Sequence, residues 1–381
     1  MNRTLAEYHA AIEAGLEERR AAGLLRAPSL PEGVDLNSND YLGFAADPDL
    51  AARVAEAVRR LGAGAGASRL LRGHLKIHEK AEARLAEFCG CPRALLFSSG
   101  YAANTGLIPA LAGREDTLYC DELLHASLID GARLSQARRV IFPHQDLDGL
   151  EAELRGPRRG RAFILTESLF SMDGDLTDLE ALCDLAQRHG ALVIVDEAHA
   201  TGLYGERGSG RVEALGLAER VVCTIHTGGK ALGVAGAWVA ADAAVIAHLV
   251  NHARSFIFST APMPAMAAGL IASLDRLAAD RSPVEAVHRK AAALRSRLRA
   301  AGVDLLRSES QILPVVLGGN ERALGVAAAL RRQGLDVRAV RPPSVPEGTA
   351  RLRVTVRAPL QDSEIERFVE CLLASLQEAL V

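Results

Sequence analysis

From residue 47 onward, short apolar runs alternate with stretches whose apolar residues recur at helical spacing, and this alternation restricts the chain more than any other feature. Ala94–Phe97, Thr117–Cys120, Val140–Phe142, Ala162–Leu165, Leu192–Val195, Val221–Ile225 and Ala237–Ala240 predict strands. Near-continuous apolar runs suit strands covered on both faces, so the pattern predicts an α/β fold with a mostly parallel central sheet flanked by helices. Past Ser282-Pro283 comes a helical pattern from Val284 to Ala301, then Ile312–Leu317, a helix from about Glu321, Val337–Val340, Arg351–Val356 and a closing helix from Asp362. These predict a smaller C-terminal α/β domain. Leu5, Tyr8, Ile12 and Leu16 lie at helical spacing ahead of Pro28 and Pro31, which predicts an N-terminal arm. The expected division is an arm over 1–46, a large domain over 47–281 and a small domain over 282–381.

With 381 residues, 49% of them hydrophobic, the chain can build its core without disulfide or metal staples. Six scattered cysteines form no paired framework and point to a reduced, intracellular setting. A net charge of −3 leaves no basic excess to neutralise phosphates, so nucleic acid is not an expected partner. Glutamates interrupt the first 26 residues, unlike a signal or transit peptide, and Asp242 and His248 interrupt the apolar stretch from Ala231 to Val250, unlike a membrane span. A cytoplasmic protein is expected. Only four of the 44 basic side chains are lysines, Lys76, Lys80, Lys230 and Lys290.

Three short strings do not carry the function that their spelling suggests. Gly62-Ala63-Gly64-Ala65-Gly66 follows a helical stretch instead of a strand, which disqualifies it as a dinucleotide loop. Asp196-Glu197-Ala198-His199 has a nucleotide-hydrolase spelling, yet no phosphate-cradling loop accompanies it, since Gly229-Lys230 runs into Ala231. Cys89-Gly90-Cys91 is too tight for a zinc knuckle and has no second pair, so no metal is expected.

Chemistry gathers instead behind the predicted strands, where an open α/β sheet places its ligand. Ser98-Ser99-Gly100-Tyr101 opens a helix whose free N–H groups suit an anion, although the same residues equally describe an unliganded N-cap. Asp196 follows a buried strand and needs a cationic partner, either a protonated ring nitrogen or an internal Arg or His. Lys230 follows His226-Thr227-Gly228-Gly229, where desolvation favours the neutral, nucleophilic amine. Thr166 to Asp175 forms a polar loop, and His125 stands where an imidazole can stack on a planar ring or simply begin a helix. Taken together, an anion cup, a carboxylate, a flat imidazole and a Schiff-base lysine describe a pyridoxal 5′-phosphate site.

The strings Leu36-Asn37-Ser38-Asn39-Asp40-Tyr41-Leu42-Gly43, Ser99-Gly100-Tyr101-Ala102-Ala103-Asn104, His125-Ala126-Ser127-Leu128, Ser171-Met172-Asp173-Gly174-Asp175, Asp196-Glu197-Ala198-His199, Thr227-Gly228-Gly229-Lys230 and the run from Arg341 to Arg353 occur in that order. In these motifs the chain resembles the α-oxoamine synthase family of fold-type I pyridoxal-phosphate transferases along nearly its whole length. The resemblance implies that Lys230 holds the cofactor covalently, that Asp196 pairs with its ring nitrogen, that His125 stacks on the ring, and that His199 and Ser171 meet its ring oxygen or the surroundings of that oxygen. It further implies that Ser99, Gly100, Tyr101 and Thr227 line the phosphate pocket, with Ser259 and Thr260 reaching it from the other subunit of a homodimer. Arg341 and Asn39 would bind the amino-acid carboxylate, and Arg26 and Ser344 would face the acyl donor. The Arg341-Pro342-Pro343 string is nearest to members that condense L-alanine with pimeloyl-CoA or pimeloyl-acyl carrier protein, although the serine-using members share it. Gly228, where relatives carry a bulkier residue, and Ala200, where glycine is frequent, depart from the pattern.

Overall fold

The computed structural model describes residues 3–378. Its twelve strands are β1 (Val34–Asp35), β2 (Arg93–Phe97), β3 (Thr117–Asp121), β4 (Arg138–Phe142), β5 (Ala162–Glu167), β6 (Ala191–Asp196), β7 (Cys223–Thr227), β8 (Ala237–Ala241), β9 (Ile312–Gly318), β10 (Leu335–Asp336), β11 (Ala339–Val340) and β12 (Ala350–Thr355). Seven of them form the central sheet in the order β2-β8-β7-β6-β5-β3-β4. Only β8 runs against its neighbours; the others share one direction. This is the mostly parallel, helix-flanked sheet that the apolar runs predict.

Four strands reach one or two residues further than their apolar runs, and the extra residues matter. Asp121, Glu167, Asp196 and Thr227 are the last residues of β3, β5, β6 and β7, all buried. The apolar pattern stops at the first polar side chain, whereas the backbone ladder continues until the strand meets the cleft. Polar groups are thereby fixed on rigid strand ends.

Apolar side chains from β2, β3, β5, β7 and β8 meet helices Gly100–Leu111 and Ala126–Leu134 on one face. On the other, Trp238 and Leu96 pack with Leu85 of helix Lys76–Cys89 and Leu270 of helix Pro264–Ala279. A separate core lies around the antiparallel sheet β11-β12-β9 and draws in Leu36 of the arm. Helix Ser282–Ala300 joins the two bodies, with Val284 and Val287 in the large core and Leu294 and Leu298 in the small one.

The single strand expected over Val337–Val340 is instead two short ones. Leu335–Asp336 pairs with Val34–Asp35 of the arm, and Ala339–Val340 pairs with β12. The arm helix, Arg3–Ala21, forms as its spacing predicts, but Leu5, Tyr8, Ile12 and Leu16 all remain exposed. Among the described residues, no helix is long and apolar enough to cross a membrane.

Candidate active site

Lys230 lies three residues beyond β7, on a loop that glycine makes possible. A Cβ on Gly228 would sit 2.4 Å from Leu270 Cδ2 and 2.5 Å from the Val234 carbonyl oxygen, so a larger residue here would have to displace that packing. The Lys230 amine is 2.8 Å from His199 Nε2, and His199 Nδ1 is 2.6 Å from the Tyr41 hydroxyl. Tyr41 donates its one proton to Asn39 Oδ1 at 3.2 Å, so its oxygen accepts from His199 Nδ1 and leaves Nε2 to accept from Lys230. Burial lowers the lysine pKa to about 8, with Arg353 adding to the effect while Asp196 and Glu167 oppose it. His199 is held well below the ordinary imidazole range by burial and then by Lys230 and Arg353. A neutral imidazole thus faces an amine able to lose its proton near neutral pH.

A second chain of contacts starts at Asp196. Its Oδ2 accepts from Asn104 Nδ2 at 2.8 Å, and its Oδ1 accepts from the Ala198 N–H at 2.9 Å. Asn104 Nδ2 also donates to Ser127 Oγ at 2.9 Å, and Ser127 Oγ lies 2.7 Å from His125 Nδ1. His125 caps helix Ala126–Leu134 and is exposed toward the cleft. Desolvation still lowers its pKa, opposed by Asp196 and reinforced by Lys230. Glu167, beside Asp196 on the neighbouring strand, accepts the His125 backbone N–H at 2.5 Å.

Ser99 caps helix Gly100–Leu111 by accepting from the Ala102 N–H at 3.1 Å, and the space where a Gly100 Cβ would lie is open. The first turn of that helix therefore offers N–H groups and a positive dipole end to an anion. Tyr101 is half exposed and hydrogen-bonds Asp130, while Thr227 donates to the Gly236 carbonyl and accepts from the Gly229 N–H. The Ser171 carbonyl accepts from Arg353 Nε at 2.6 Å. Arg353 is buried and its NH1 donates to Thr355, but its NH2 has no hydrogen-bond partner. A guanidinium held this way is suited to receive a carboxylate.

The structure brings together Lys230, His199, Asn39, Asp196 and His125, with Ser171 joined through Arg353. Arg341, expected on the amino-acid carboxylate, donates its guanidinium N–H groups to the Gly23 and Leu25 carbonyls and ties down the arm, while Arg353 is the arginine beside Lys230. Arg26 donates to Ser344 Oγ at 3.2 Å across the same arm-to-lobe seam. Ser259 and Thr260 are exposed, and Thr260 bridges Ser68. Tyr41, Asn104, Ser127, Glu167 and Arg353 were not singled out by the residue-level reading. Each stands within a quoted motif or directly at a strand end, the only signal that could have marked them.

These groups fit the cofactor that the resemblance implies. A partly neutral amine answers its carbonyl, a buried carboxylate with oxygens fixed by Asn104 and Ala198 answers its ring nitrogen, and a helix N-terminus answers its phosphate.

The profile of the aminotransferase class I and II family matches residues 31–372. The chain is 46% identical over 345 residues to 8-amino-7-oxononanoate synthase of Anaeromyxobacter dehalogenans, covering 91% of this chain and 87% of the relative. It is 46% identical over 361 residues to that of Geobacter sulfurreducens, covering 92% and 91%. Among solved structures, serine palmitoyltransferase from S. paucimobilis with a bound PLP–myriocin aldimine is similar with a TM-score of 0.88 and 30% identity, covering 99% of this chain and 98% of that one. The crystal structure of 8-amino-7-oxononanoate synthase from Francisella tularensis gives 0.81 and 25%, covering 92% and 99%.

Proposed function

The chain belongs to the aminotransferase class I and II family and, inside it, to the 8-amino-7-oxononanoate synthases, and from that premise we propose how its cleft joins L-alanine to a pimeloyl thioester in biotin biosynthesis. The observation that carries the reading is the pairing of the Lys230 amine with a neutral His199, facing the buried Asp196.

Pyridoxal 5′-phosphate, when bound, supplies an electron sink for a carbanion at the amino-acid α-carbon. Lys230 would hold its carbonyl carbon, Asp196 its ring nitrogen, His125 its ring face and the Ser99-Gly100-Tyr101 helix start with Thr227 its phosphate. The unpartnered Arg353 NH2 orients the alanine carboxylate, with Asn39 and Tyr41 closing that side. Lys230 Nζ, with its pKa near 8, accepts the α-proton, and His199 Nε2 fixes the direction of the amine. His125 stands over the place where charge develops on the carboxylate or keto oxygen. The alanine α-carbon bonds to the acyl carbon as the thioester C–S bond breaks and coenzyme A, or the thiol of acyl carrier protein, leaves; carbon dioxide then leaves from the alanine carboxylate and a proton returns to the α-carbon in its place.

Two cavities serve the acyl donor in this reading. One, of about 420 Å³, is lined by Leu123, Leu124, Ile129, Phe170, Met172 and Val345 among others and suits an acyl chain. The other, of about 880 Å³, lies between arm and small lobe and has Arg26, Arg331, Arg338 and Arg341 in its wall. Arg338 pairs with Asp336, but among the described residues Arg26, Arg331 and Arg341 meet only carbonyl or hydroxyl oxygens. That unneutralised charge suits the phosphates of the donor.

A homodimer belongs to the same reading. Leu70, Leu71 and Phe258 are exposed near the Ser68–Thr260 bridge, and a second copy covering this face would bring Ser259 and Thr260 to its phosphate pocket. Leu71→Glu with Phe258→Glu should yield a monomer of reduced cofactor affinity in analytical ultracentrifugation; an unaltered dimer would remove this face from the interface. The division at 46 and 281 and a cytoplasmic setting complete the reading.

The deciding assay is thiol release with pyridoxal phosphate and L-alanine, offering pimeloyl-CoA, pimeloyl-acyl carrier protein and palmitoyl-CoA in parallel, and L-serine in place of alanine. Release with alanine and a pimeloyl donor supports the assignment; release confined to serine and palmitoyl-CoA would move the chain to a sister activity.

A further inference from the structure

Asn104 is almost completely buried between the two residues that would grip the cofactor ring from its edge and its face. Asp196 as a carboxylate can only accept, so Asn104 has to turn its Nδ2 toward it, and the second Nδ2 proton goes to Ser127 Oγ. This orientation leaves Asn104 Oδ1 buried with no partner. A side chain kept for packing alone gains nothing from an orphaned carbonyl, whereas one kept for its two donors tolerates it.

The consequences run outward from Ser127. Its oxygen already accepts from Asn104, so its hydroxyl proton is free for His125 Nδ1, 2.7 Å away. The Ser127 backbone N–H also points at Nδ1, at 3.2 Å. Two donors on one ring nitrogen exclude a proton there, and the imidazole must carry its proton on Nε2. The titratable groups facing the ring are Asp196, Lys230 and His199, itself held neutral, and Glu167 holds the backbone N–H of His125. Desolvation and Lys230 both disfavour a charged ring, in the same direction as the hydrogen bonds.

We propose that Asn104 is a positioning residue that, through Ser127, locks His125 as the neutral Nε2–H form, so that the histidine over the ring offers a hydrogen-bond donor to the reacting oxygen and not a base. The proposal rests on the functional reading above for what His125 faces; the protonation state is read without turnover, so failure of one is distinguishable from failure of the other.

The test is ¹⁵N NMR of histidine-labelled holoenzyme between pH 6 and 9, with His125→Asn to assign the ring signals, alongside the pH profile of kcat. In the wild type, His125 should show an unprotonated Nδ1 and a protonated Nε2 throughout. Ser127→Ala removes the hydroxyl donor, leaves the backbone intact, and should raise the His125 pKa by about 0.4–1.1 units, the size of one lost hydrogen bond. The acid limb of kcat should move up with it. Asn104→Leu should change the same ring signals while the KM for alanine shifts less than kcat. A wild-type Nδ1–H signal would overturn the proposal, as would ring shifts and a pH profile that stay unchanged in Ser127→Ala.

Discussion

Replacing Glu167 by glutamine should stabilise this protein, and by an amount that grows with pH. Glu167 ends β5 directly beside Asp196 at the end of β6, and both side chains are buried. Desolvation, and then the Asp196 charge, push the Glu167 pKa up to about 8, against the opposing pull of the His125 N–H and Lys230. In the unfolded chain the same group titrates near the ordinary glutamate value of 4.5. Between those values the folded protein binds the extra proton, so folding stability falls as pH rises from about 4.5 toward 8. At pH 7 the accumulated cost is about 3 kcal/mol, and by pH 8 about 4 kcal/mol. Glutamine keeps an oxygen for the His125 N–H and has no charge to bury, so Glu167→Gln escapes that cost. Denaturant unfolding of the cofactor-free wild type and variant at pH 5, 6, 7 and 8 reads the difference directly. The gap should be small at pH 5 and widen steadily. A gap independent of pH, or one that narrows toward pH 8, would refute the claim that a protonated carboxyl sits beside Asp196.

Lys230→Ala should abolish turnover while leaving the secondary structure and unfolding midpoint of the cofactor-free protein nearly unchanged, and residual turnover above background would contradict its role as the proton acceptor. Arg353→Met should raise the KM for alanine roughly 10–100-fold, since one charge-assisted hydrogen bond to the carboxylate is worth about 1.5–3 kcal/mol; a steady-state titration showing wild-type KM would return that role to Arg341. His144 bridges Asp121 and Asp175 at 2.9 and 2.7 Å, and although burial opposes it, the hydrogen bonds to those carboxylates push its pKa up to about 10. The stabilisation is therefore complete below about 6.5 and is lost as pH rises through 10. His144→Gln should cost about 3 kcal/mol at pH 6 and much less at pH 10 by denaturant unfolding; equal losses at both pH values would count against a charged bridge.

The apolar runs were enough to locate every strand of the central sheet, because its interior strands are covered by helices on both faces and demand apolar side chains; edge strand β4 carries its run even though Ile141 is exposed. Lys230, Asp196, His125 and His199 were legible for a related reason: each follows such a run closely, and the end of a buried strand is where a polar group is both fixed and desolvated. Arg353 was not legible. It sits inside β12, in a run whose neighbouring Arg351 is equally buried but paired with Asp173. Only the fold distinguishes the arginine with a free NH2 from the one already neutralised.

Asn104 and Ser127 make the same point at longer range. They stand 23 residues apart, and Asn104 stands 92 from Asp196, on helices whose apolar faces explain their formation without reference to either hydroxyl or amide. Tyr41 reaches His199 across 158 residues. Local pattern determines which segments become strands and helices, since hydrophobic periodicity acts over a turn or a strand length. Which amide meets which carboxylate depends on how the layers pack, so the chemistry-bearing residue types were set by the sequence and their pairings by the tertiary structure alone.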